Sequence, residues 1–346
     1  MPGDPEVSVI VGAYSREKYL LNAVRSLLAQ TIPRDRFEII VIKNFRSTEI
    51  DSELERVGAT VLSDAEPRIG RWLRHAVNVS RAPILTFCDD DDEFEPDRLE
   101  RLLEVFRTHP DLGYYRNRVR VIDRDGHAIP PREWRDHETD PGFDRVGPVY
   151  LPKDGKGGLL ELATRTTHAT FATSSMALRR ELLDGELGDS FERTQLEDLY
   201  LFLTGALSPY GMYLDDRRLT RYRYYAGNVT HTVRWLGHAA ESELDMVAVA
   251  ERHGRPDFAR WLRARSVNHE RLFRGGTLVA RVAGGADRRE VARLTAEYLR
   301  FLGQHPEERA WTLDVWAASV YGFSSLAAPS STGRMARARL AARAVA

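Results

Sequence analysis

The chain has 346 residues, 42% of them hydrophobic, and a formal net charge of −1 at pH 7. This length predicts one large domain, or one domain with an extension, that can bury a sizeable core. The balanced charge provides no global field toward nucleic acid, and one cysteine excludes an internal disulfide and a cysteine-cluster zinc site.

Strands and helices alternate through the first third of the chain. A short β-branched run predicts a buried parallel strand over 7–14, and further strands are predicted over 37–42, 59–63 and 82–87. Apolar residues at helical spacing predict helices after Ser15, over 47–58, over 69–80 and from Pro96 to His109. We expect Cys88, which follows the fourth strand, to be a small buried hydrophobic residue. This order of elements predicts a doubly wound α/β sheet.

The pattern changes in the second half of the chain. It predicts a strand over 113–129 with a turn at Asp125–Gly126, a strand over 168–178, a helix over 194–208 and a closing pair of strands over 212–216 and 219–225. From about residue 232 the pattern is that of amphipathic helices, over 239–254 and 289–303. We therefore predict an α/β domain over 1–232 and a helical extension over 233–346.

The two ends of the chain are the candidate regions for membrane targeting, membrane spanning and peripheral membrane contact. The first residues have neither the basic nor the long apolar region of a signal peptide. The apolar stretch 311–328 contains Asp314 and barely reaches spanning length, so we expect no spanning helix. The arginine-rich tail over 330–346 predicts a solvated helix end or, alternatively, a peripheral contact with an anionic membrane. We expect a cytoplasmic protein.

The acidic run "CDDDDEFEPDRL" over 88–99 directly follows the fourth predicted strand. Ligands of open α/β sheets bind outside the carboxyl ends of the strands. A calcium loop is excluded because Phe94 stands where the loop needs glycine. A solvated acidic turn and a phosphatase nucleophile stay open. A divalent cation, Mg²⁺ or Mn²⁺, shared with substrate phosphates best explains four aspartates next to a buried strand.

Two segments resemble family 2 glycosyltransferases, which are inverting enzymes that use nucleotide-sugar donors. They are "VSVIVGAYSREKYLLNAVRSLLAQT" and "ILTFCDDDDEFEPDRLERLLEVF", and "GYYRNRVRVID", "TSSMALRRELL", "LED" and "RYYAGNVTH" continue the pattern. The resemblance covers about residues 1–232. It implies a GT-A fold, a Rossmann-like α/β/α sandwich with a mixed, mainly parallel sheet, followed here by the helical extension.

The resemblance also implies roles for individual residues. The implied catalytic base is Asp198. The implied donor-binding residues are Ala13, Tyr14, Asn44, Arg68, Asp89 and Asp90. The implied ligands of a divalent cation, Mn²⁺ or Mg²⁺, are Asp91, Asp89 and His231. The expected partners are a nucleotide-diphosphate sugar and a glycan or lipid-linked acceptor, and we expect no nucleic acid.

Plainer interpretations stand beside these roles. Tyr14 could simply pack at a strand end, Glu197–Asp198 could be an acidic pair on a helix surface, and a lone His231 is more often structural. Lys43 and Asn44 stand where the family usually has two aspartates that help to bind the base. Two alternative functions therefore stay open: a non-catalytic sugar-nucleotide-binding protein, and a metal-dependent phosphatase or nucleotidyltransferase.

Overall fold

The computed structural model describes residues 4–129, 148–160, 163, 170–225 and 233–305. It divides into two compact units. The first is Met1–Asn228 with Ala248–Phe258, and the second is Val229–Val247 with Ala259–Ala346. The domain boundary at 232 stays a prediction.

The described residues form nine strands and nine α-helices of seven or more residues. The strands are β1 (Val7–Ala13), β2 (Phe37–Lys43), β3 (Thr60–Ser63), β4 (Ile84–Asp89), β5 (Glu93–Phe94), β6 (Leu112–Ile122), β7 (Val149–Leu151), β8 (Met176–Arg179) and β9 (Gly211–Arg223). The helices are α1 (Leu20–Leu28), α2 (Thr48–Arg56), α3 (Ile69–Val79), α4 (Arg98–Thr108), α5 (Gly185–Phe191), α6 (Glu197–Leu207), α7 (Val233–Arg252), α8 (Pro256–Ala283) and α9 (Arg288–Gln304).

The strands form one mixed sheet in the first unit. Its order is β3-β2-β1-β4-β8-β6-β9-β5. Strand β7 lies off this path and also pairs with β9. Strands β3, β2, β1 and β4 are parallel, β8 is antiparallel to both of its neighbours, and β6 and β9 are parallel to each other. The carboxyl ends of β1, β2, β4 and β9 therefore lie along the same edge of the sheet.

The parallel half is held by continuous apolar burial. Strand β1 is buried on both faces, with Val9, Ile10 and Val11 fully inaccessible to solvent, as expected for a parallel strand covered by helices. Gly12 leaves room for the ring of Trp72 from α3, since a Cβ at this glycine would lie 2.9 Å from Trp72 Cζ3. Cys88 is buried at the end of β4, as predicted.

Two predicted elements differ from the structure. The strand predicted over 168–178 begins only at Met176, because a 3₁₀ turn over Thr173–Ser175 precedes it. The strand pair predicted over 212–225 is the single strand β9, and the pairing with β6 shifts register between Leu214 and Arg218. The expected turn is thus a bulge, which Asp215 stabilises by accepting from the Arg217 backbone N–H at 3.1 Å.

The described residues of the second unit are mostly helical. Asp287 caps α9 by accepting from the backbone N–H groups of Arg289 and Glu290. A small apolar core of the second unit contains Leu278, Val291, Tyr298, Phe301 and Leu302. Among the described residues, no helix is both long and apolar enough to span a bilayer. The stretch 311–328 and the tail 330–346 lie outside the described residues.

Candidate active site

The carboxyl edge of the sheet brings the acidic run beside the ends of β1 and β2. In the strand register Gly12 is opposite Asp89, and Ala13 is opposite Lys43. The Asp90 N–H donates to the Gly12 carbonyl at 3.0 Å, which joins the acidic turn to the end of β1. The predicted donor-binding positions Ala13, Tyr14, Asn44, Asp89 and Asp90 are therefore neighbours.

The aspartates of the run have different surroundings. Asp89 is half-buried and its backbone N–H donates to Ser174 Oγ at 2.9 Å, whereas Asp90, Asp91 and Asp92 are buried. Asp92 accepts from the backbone N–H of Arg223 at 2.9 Å and so ties the acidic turn to the end of β9. This structural role of Asp92 had no counterpart among the sequence-based assignments.

Burial opposes ionisation of these carboxyl groups. Burial, followed by the charge of Asp91, raises the pKa of Asp89 to about 7 even though Arg16 lowers it. Burial also raises the pKa of Asp90 to about 8, against the opposing charge of Arg16. Near neutral pH the protein therefore opposes full ionisation of the cluster, and Arg16 alone does not offset this effect of burial.

One observation favours a divalent cation at this turn. The Oδ2 atoms of Asp90 and Asp92 are buried and have no hydrogen-bond partner in the described part of the chain. Carboxylate oxygens are the ligands that Mg²⁺ and Mn²⁺ prefer, and one or two are enough beside substrate phosphates. Over the described ranges, no group of three or more His, Cys, Asp or Glu side chains is placed so that the protein alone could hold a metal ion. The predicted ligand His231 lies outside those ranges.

Tyr14 and Asn44 differ in what they can offer a ligand. The Tyr14 side chain is 41% exposed, and its ring meets Trp72 edge-on at a centroid distance of 5.9 Å. Asn44 Oδ1 accepts from the Ser15 N–H at 2.6 Å, and its Nδ2 donates to Ser15 Oγ at 3.0 Å. These bonds hold Ser15 at φ 56°, a left-handed conformation that is uncommon outside glycine.

Lys43 is engaged with a neighbouring helix and with its own loop. The residue is buried, and its Nζ contacts Asp51 Oδ1 at 2.7 Å and donates to the Phe45 carbonyl. Asp51 belongs to α2, so the lysine ties the end of β2 to that helix. Lys43 therefore has a structural partner, and the base would be recognised by other groups.

Arg68 stands at the N-terminus of α3, and its side chain is exposed. Its guanidinium makes no ion pair with another described residue, and its backbone N–H donates to Glu66 Oε1 at 3.1 Å. An exposed arginine at this edge is free to contact an anionic ligand.

Glu197 and Asp198 open helix α6 at the same edge of the sheet. The Asp198 carboxylate accepts from the Leu199 N–H at 2.6 Å and lies in the first turn, where the helix dipole favours a negative charge. Burial raises the pKa of Glu197 well above its ordinary range, and the charges of Asp198 and Asp89 raise it further. Asp198 is thus close enough to the acidic run to interact with it electrostatically.

A strained turn faces this helix. Ala172 has φ 63°, and the following residues Thr173–Ser175 form a 3₁₀ turn. Ser175 Oγ donates to the Ala172 carbonyl at 2.7 Å, and the buried Arg116 donates to the Phe171 carbonyl at 3.1 Å. Such a conformation costs on the order of 1–3 kcal/mol, and strained residues cluster at functional sites.

Three functional residues were missed by the sequence analysis. Arg16 donates to Asp90 and Asp91, Ser174 supports Asp89, and Arg223 reaches the Asp91 carbonyl at 2.8 Å. Arg16 directly follows Tyr14–Ser15, so a signal for it was present in the sequence. Ser174 and Arg223 are far from the acidic run in sequence, and only the sheet brings them to it.

Comparison with known proteins gives a consistent picture. A family model described as Glycosyl transferase family 2 matches residues 8–186. The chain is 30% identical over 130 residues to chondroitin synthase of Escherichia coli, covering 36% of this chain and 19% of that protein. It is 28% identical over 113 residues to the putative glycosyltransferase EpsH of Bacillus subtilis (strain 168), covering 31% of this chain and 32% of that protein. The chain therefore matches only about a fifth to a third of these curated relatives.

A solved structure extends the similarity of fold. The crystal structure of S. aureus TarS 1–349 in complex with UDP-GlcNAc covers 92% of this chain and 89% of its own, with a TM-score of 0.59 and 13% identity. The predicted α/β sandwich of GT-A type with a helical C-terminal region is thereby confirmed.

Proposed function

Because the chain belongs to glycosyl transferase family 2, we propose that it transfers a sugar from a nucleotide-diphosphate sugar to a hydroxyl group of a glycan or glycoconjugate. The transfer depends on a divalent cation and inverts the configuration at the sugar carbon. One observation carries the proposal: an exposed tyrosine, a buried carboxylate cluster and the acidic N-terminus of α6 meet at one edge of the sheet.

The donor lies along the ends of β1, β2 and β4. Tyr14 contacts the nucleobase, since its exposed ring offers a stacking surface to any base. Asn44 acts mainly by fixing the turn that carries Tyr14 and Arg16, because its amide is engaged with Ser15. Asp89 and Asp90 serve the ribose, the Ala13 backbone borders the same turn, and Arg68 contacts the nucleotide.

Asp91 and Asp89 would hold the cation, Mn²⁺ or Mg²⁺, and His231 would add to them. When bound, the cation neutralises negative charge on the departing nucleoside diphosphate. The protein residues position the donor, exclude water from the buried carboxylates and accept the proton of the acceptor hydroxyl.

Asp198 is the catalytic base. Its position in the first turn of α6 favours the ionised carboxylate, which can take the proton of the attacking acceptor hydroxyl. Glu197, whose pKa is raised by burial, is the less suitable base of the pair. A single base with no enzyme nucleophile makes one displacement, and one displacement inverts the sugar carbon.

The acceptor is a glycan or a lipid-linked glycoconjugate. A relative named chondroitin synthase favours a glycan. A lipid-linked acceptor would suit a cytoplasmic protein whose basic tail over 330–346 rests on the inner face of a membrane. Deleting 330–346 tests this part, since liposome co-sedimentation that is unaffected by the deletion would contradict it.

A non-catalytic sugar-nucleotide-binding protein is the second candidate. It is favoured by Lys43, which stands where the family usually has a base-binding aspartate and is instead engaged with Asp51. A non-catalytic protein would bind the donor as the enzyme does, but it would not transfer the sugar.

Thermal unfolding with UDP-, GDP- and dTDP-sugars, each with and without Mn²⁺, tests the donor proposal. We expect one nucleotide to raise the unfolding temperature in a Mn²⁺-dependent manner. Asp91→Asn should lose that dependence, with donor affinity lower by at least about tenfold, or ~1.4 kcal/mol. No shift with any donor would contradict the proposal.

A further inference from the structure

Arg16 contacts two carboxylates of the acidic run. Its Nη2 contacts Asp90 Oδ1 at 2.5 Å, and its Nη1 contacts Asp91 Oδ2 at 2.6 Å. Its side chain keeps 33% of its surface exposed, while the two carboxylates are almost completely buried. The Arg16 guanidinium therefore occupies Asp91 Oδ2, an oxygen of a proposed cation ligand, together with Asp90 Oδ1 of the neighbouring carboxylate.

The surroundings hold Arg16 in this position. The preceding residue, Ser15, is left-handed and is clamped by Asn44 across the ends of β1 and β2. On the far side, Arg16 Nη1 donates to Tyr225 Oη at 3.2 Å, and Tyr225 Oη donates to Asp91 Oδ2 at 3.1 Å. The bridge is thus part of a hydrogen-bonded network that includes β1, β2 and the residues after β9.

A guanidinium and a divalent cation cannot share these oxygens. Arg16 occupies Asp91 Oδ2, and like charges a few ångströms apart repel, so we expect a divalent cation that binds this oxygen to displace Arg16. A diphosphate offers the displaced guanidinium a new partner, because Arg binds phosphate oxygens in the same two-pronged way as carboxylates.

We propose that Arg16 is a positioning residue that exchanges the Asp90–Asp91 pair for the donor diphosphate when the cation binds. In the free protein Arg16 takes the place of the cation and keeps the cation affinity low. In the loaded protein it contacts the diphosphate, so that cation and nucleotide strengthen each other's binding by the same factor. The claim that Arg16 contacts the diphosphate, the nucleotide half of this inference, rests on the proposed function. The claim that Arg16 lowers the cation affinity of the free protein, the cation half, does not.

Isothermal titration of the protein with Mn²⁺ alone, at mildly alkaline pH, tests the cation half. Arg16→Gln should bind Mn²⁺ about tenfold more tightly than the wild type, because a competing positive charge has been removed. Arg56→Gln is the matched control: it removes the same charge from an exposed arginine of α2 that pairs with Glu53, and it should bind Mn²⁺ like the wild type. Equal or weaker Mn²⁺ binding by Arg16→Gln would overturn the inference.

A conservative variant guards against misfolding. Arg16→Lys keeps the charge but replaces the two-pronged guanidinium by a single nitrogen on a more flexible stem, so its Mn²⁺ affinity should lie between those of the wild type and Arg16→Gln. Thermal unfolding of all variants checks that they fold. A lysine variant that matches Arg16→Gln would contradict the role of the charge.

The nucleotide half is tested by repeating the Mn²⁺ titration with UDP or GDP present. In the wild type the nucleotide should tighten Mn²⁺ binding by about tenfold or more, and in Arg16→Gln this coupling should be largely lost. Full coupling in Arg16→Gln would overturn the exchange. If UDP, GDP and dTDP all fail to bind every variant while Arg16→Gln still binds Mn²⁺ more tightly, the proposed function is contradicted and the cation half is supported.

Discussion

At the scale of single residues, Tyr14 and Asn44 show that neighbouring positions at the carboxyl edge of the sheet have different roles. Both follow the ends of parallel strands, yet the Tyr14 ring is exposed and the Asn44 amide is engaged with Ser15. The tyrosine is therefore available to a ligand, while the asparagine fixes the backbone on which Tyr14 and Arg16 stand.

This division predicts the effect of removing the Tyr14 ring. Tyr14→Ala should weaken binding of the nucleotide, measured by titration in the presence of Mn²⁺, by about 1–3 kcal/mol, the contribution typical of a base stacked on an aromatic ring. Tyr14→Phe keeps the ring and should bind within about twofold of the wild type. Wild-type affinity in Tyr14→Ala would show that the ring only packs against Trp72.

At the scale of elements, helix α6 joins the site to a buried lysine. Asp198 lies in its first turn, and at its other end Lys156 Nζ donates to the carbonyls of Gly205 at 2.9 Å and Ser208 at 2.6 Å. The lysine satisfies carbonyl groups that a helix end leaves without partners. Burial, with a smaller effect of Arg255, lowers the pKa of Lys156 to about 8.

This pKa predicts a pH dependence of stability. Between about pH 8 and about pH 10.4, the ordinary lysine value, the folded protein has released the Lys156 proton while the unfolded chain still holds it. The unfolded state then binds more protons, so the free energy of unfolding should rise with pH across this window. Urea unfolding of Lys156→Met should lack this rise.

The control for this measurement is Lys153→Met, which removes an exposed lysine from the same segment. It should keep the pH dependence of the wild type. Identical slopes in the wild type and Lys156→Met would contradict the assignment.

The elements also show how much local sequence can predict. Strands β1, β2 and β4 and helices α1 to α4 follow from local sequence because the apolar residues of each define the surface that it buries. The turn before β8 could not be predicted in this way, since Ala172 is left-handed only because Arg116 and Ser175 hold its neighbours. The bulge of β9 likewise depends on a buried aspartate, Asp215, whose partner Arg101 is distant in sequence.

At the scale of the whole molecule, the family resemblance and the fold agree, and the site depends on long-range topology. The ends of parallel strands share one edge of the sheet, and this explains why the acidic run, Tyr14 and Lys43–Asn44 are neighbours, whereas Asp198 was assigned from the family resemblance alone. The sequence could not reveal that Arg16 bridges Asp90 and Asp91 or that Lys43 turns toward Asp51, since both follow from side-chain packing. The family model ends at residue 186, so Asp198 as the base is a claim that needs its own test.

Asp198→Asn provides that test. Glycosyl transfer from the donor identified by thermal unfolding to an array of glycan acceptors, followed by mass spectrometry, measures turnover, and titration measures donor binding. We predict that Asp198→Asn loses transfer by about 10²–10⁴-fold while donor affinity stays within about twofold, because the base acts only on the acceptor hydroxyl. Asp189→Asn, an exposed carboxylate on α5, should transfer like the wild type. Undiminished transfer by Asp198→Asn would contradict the central claim.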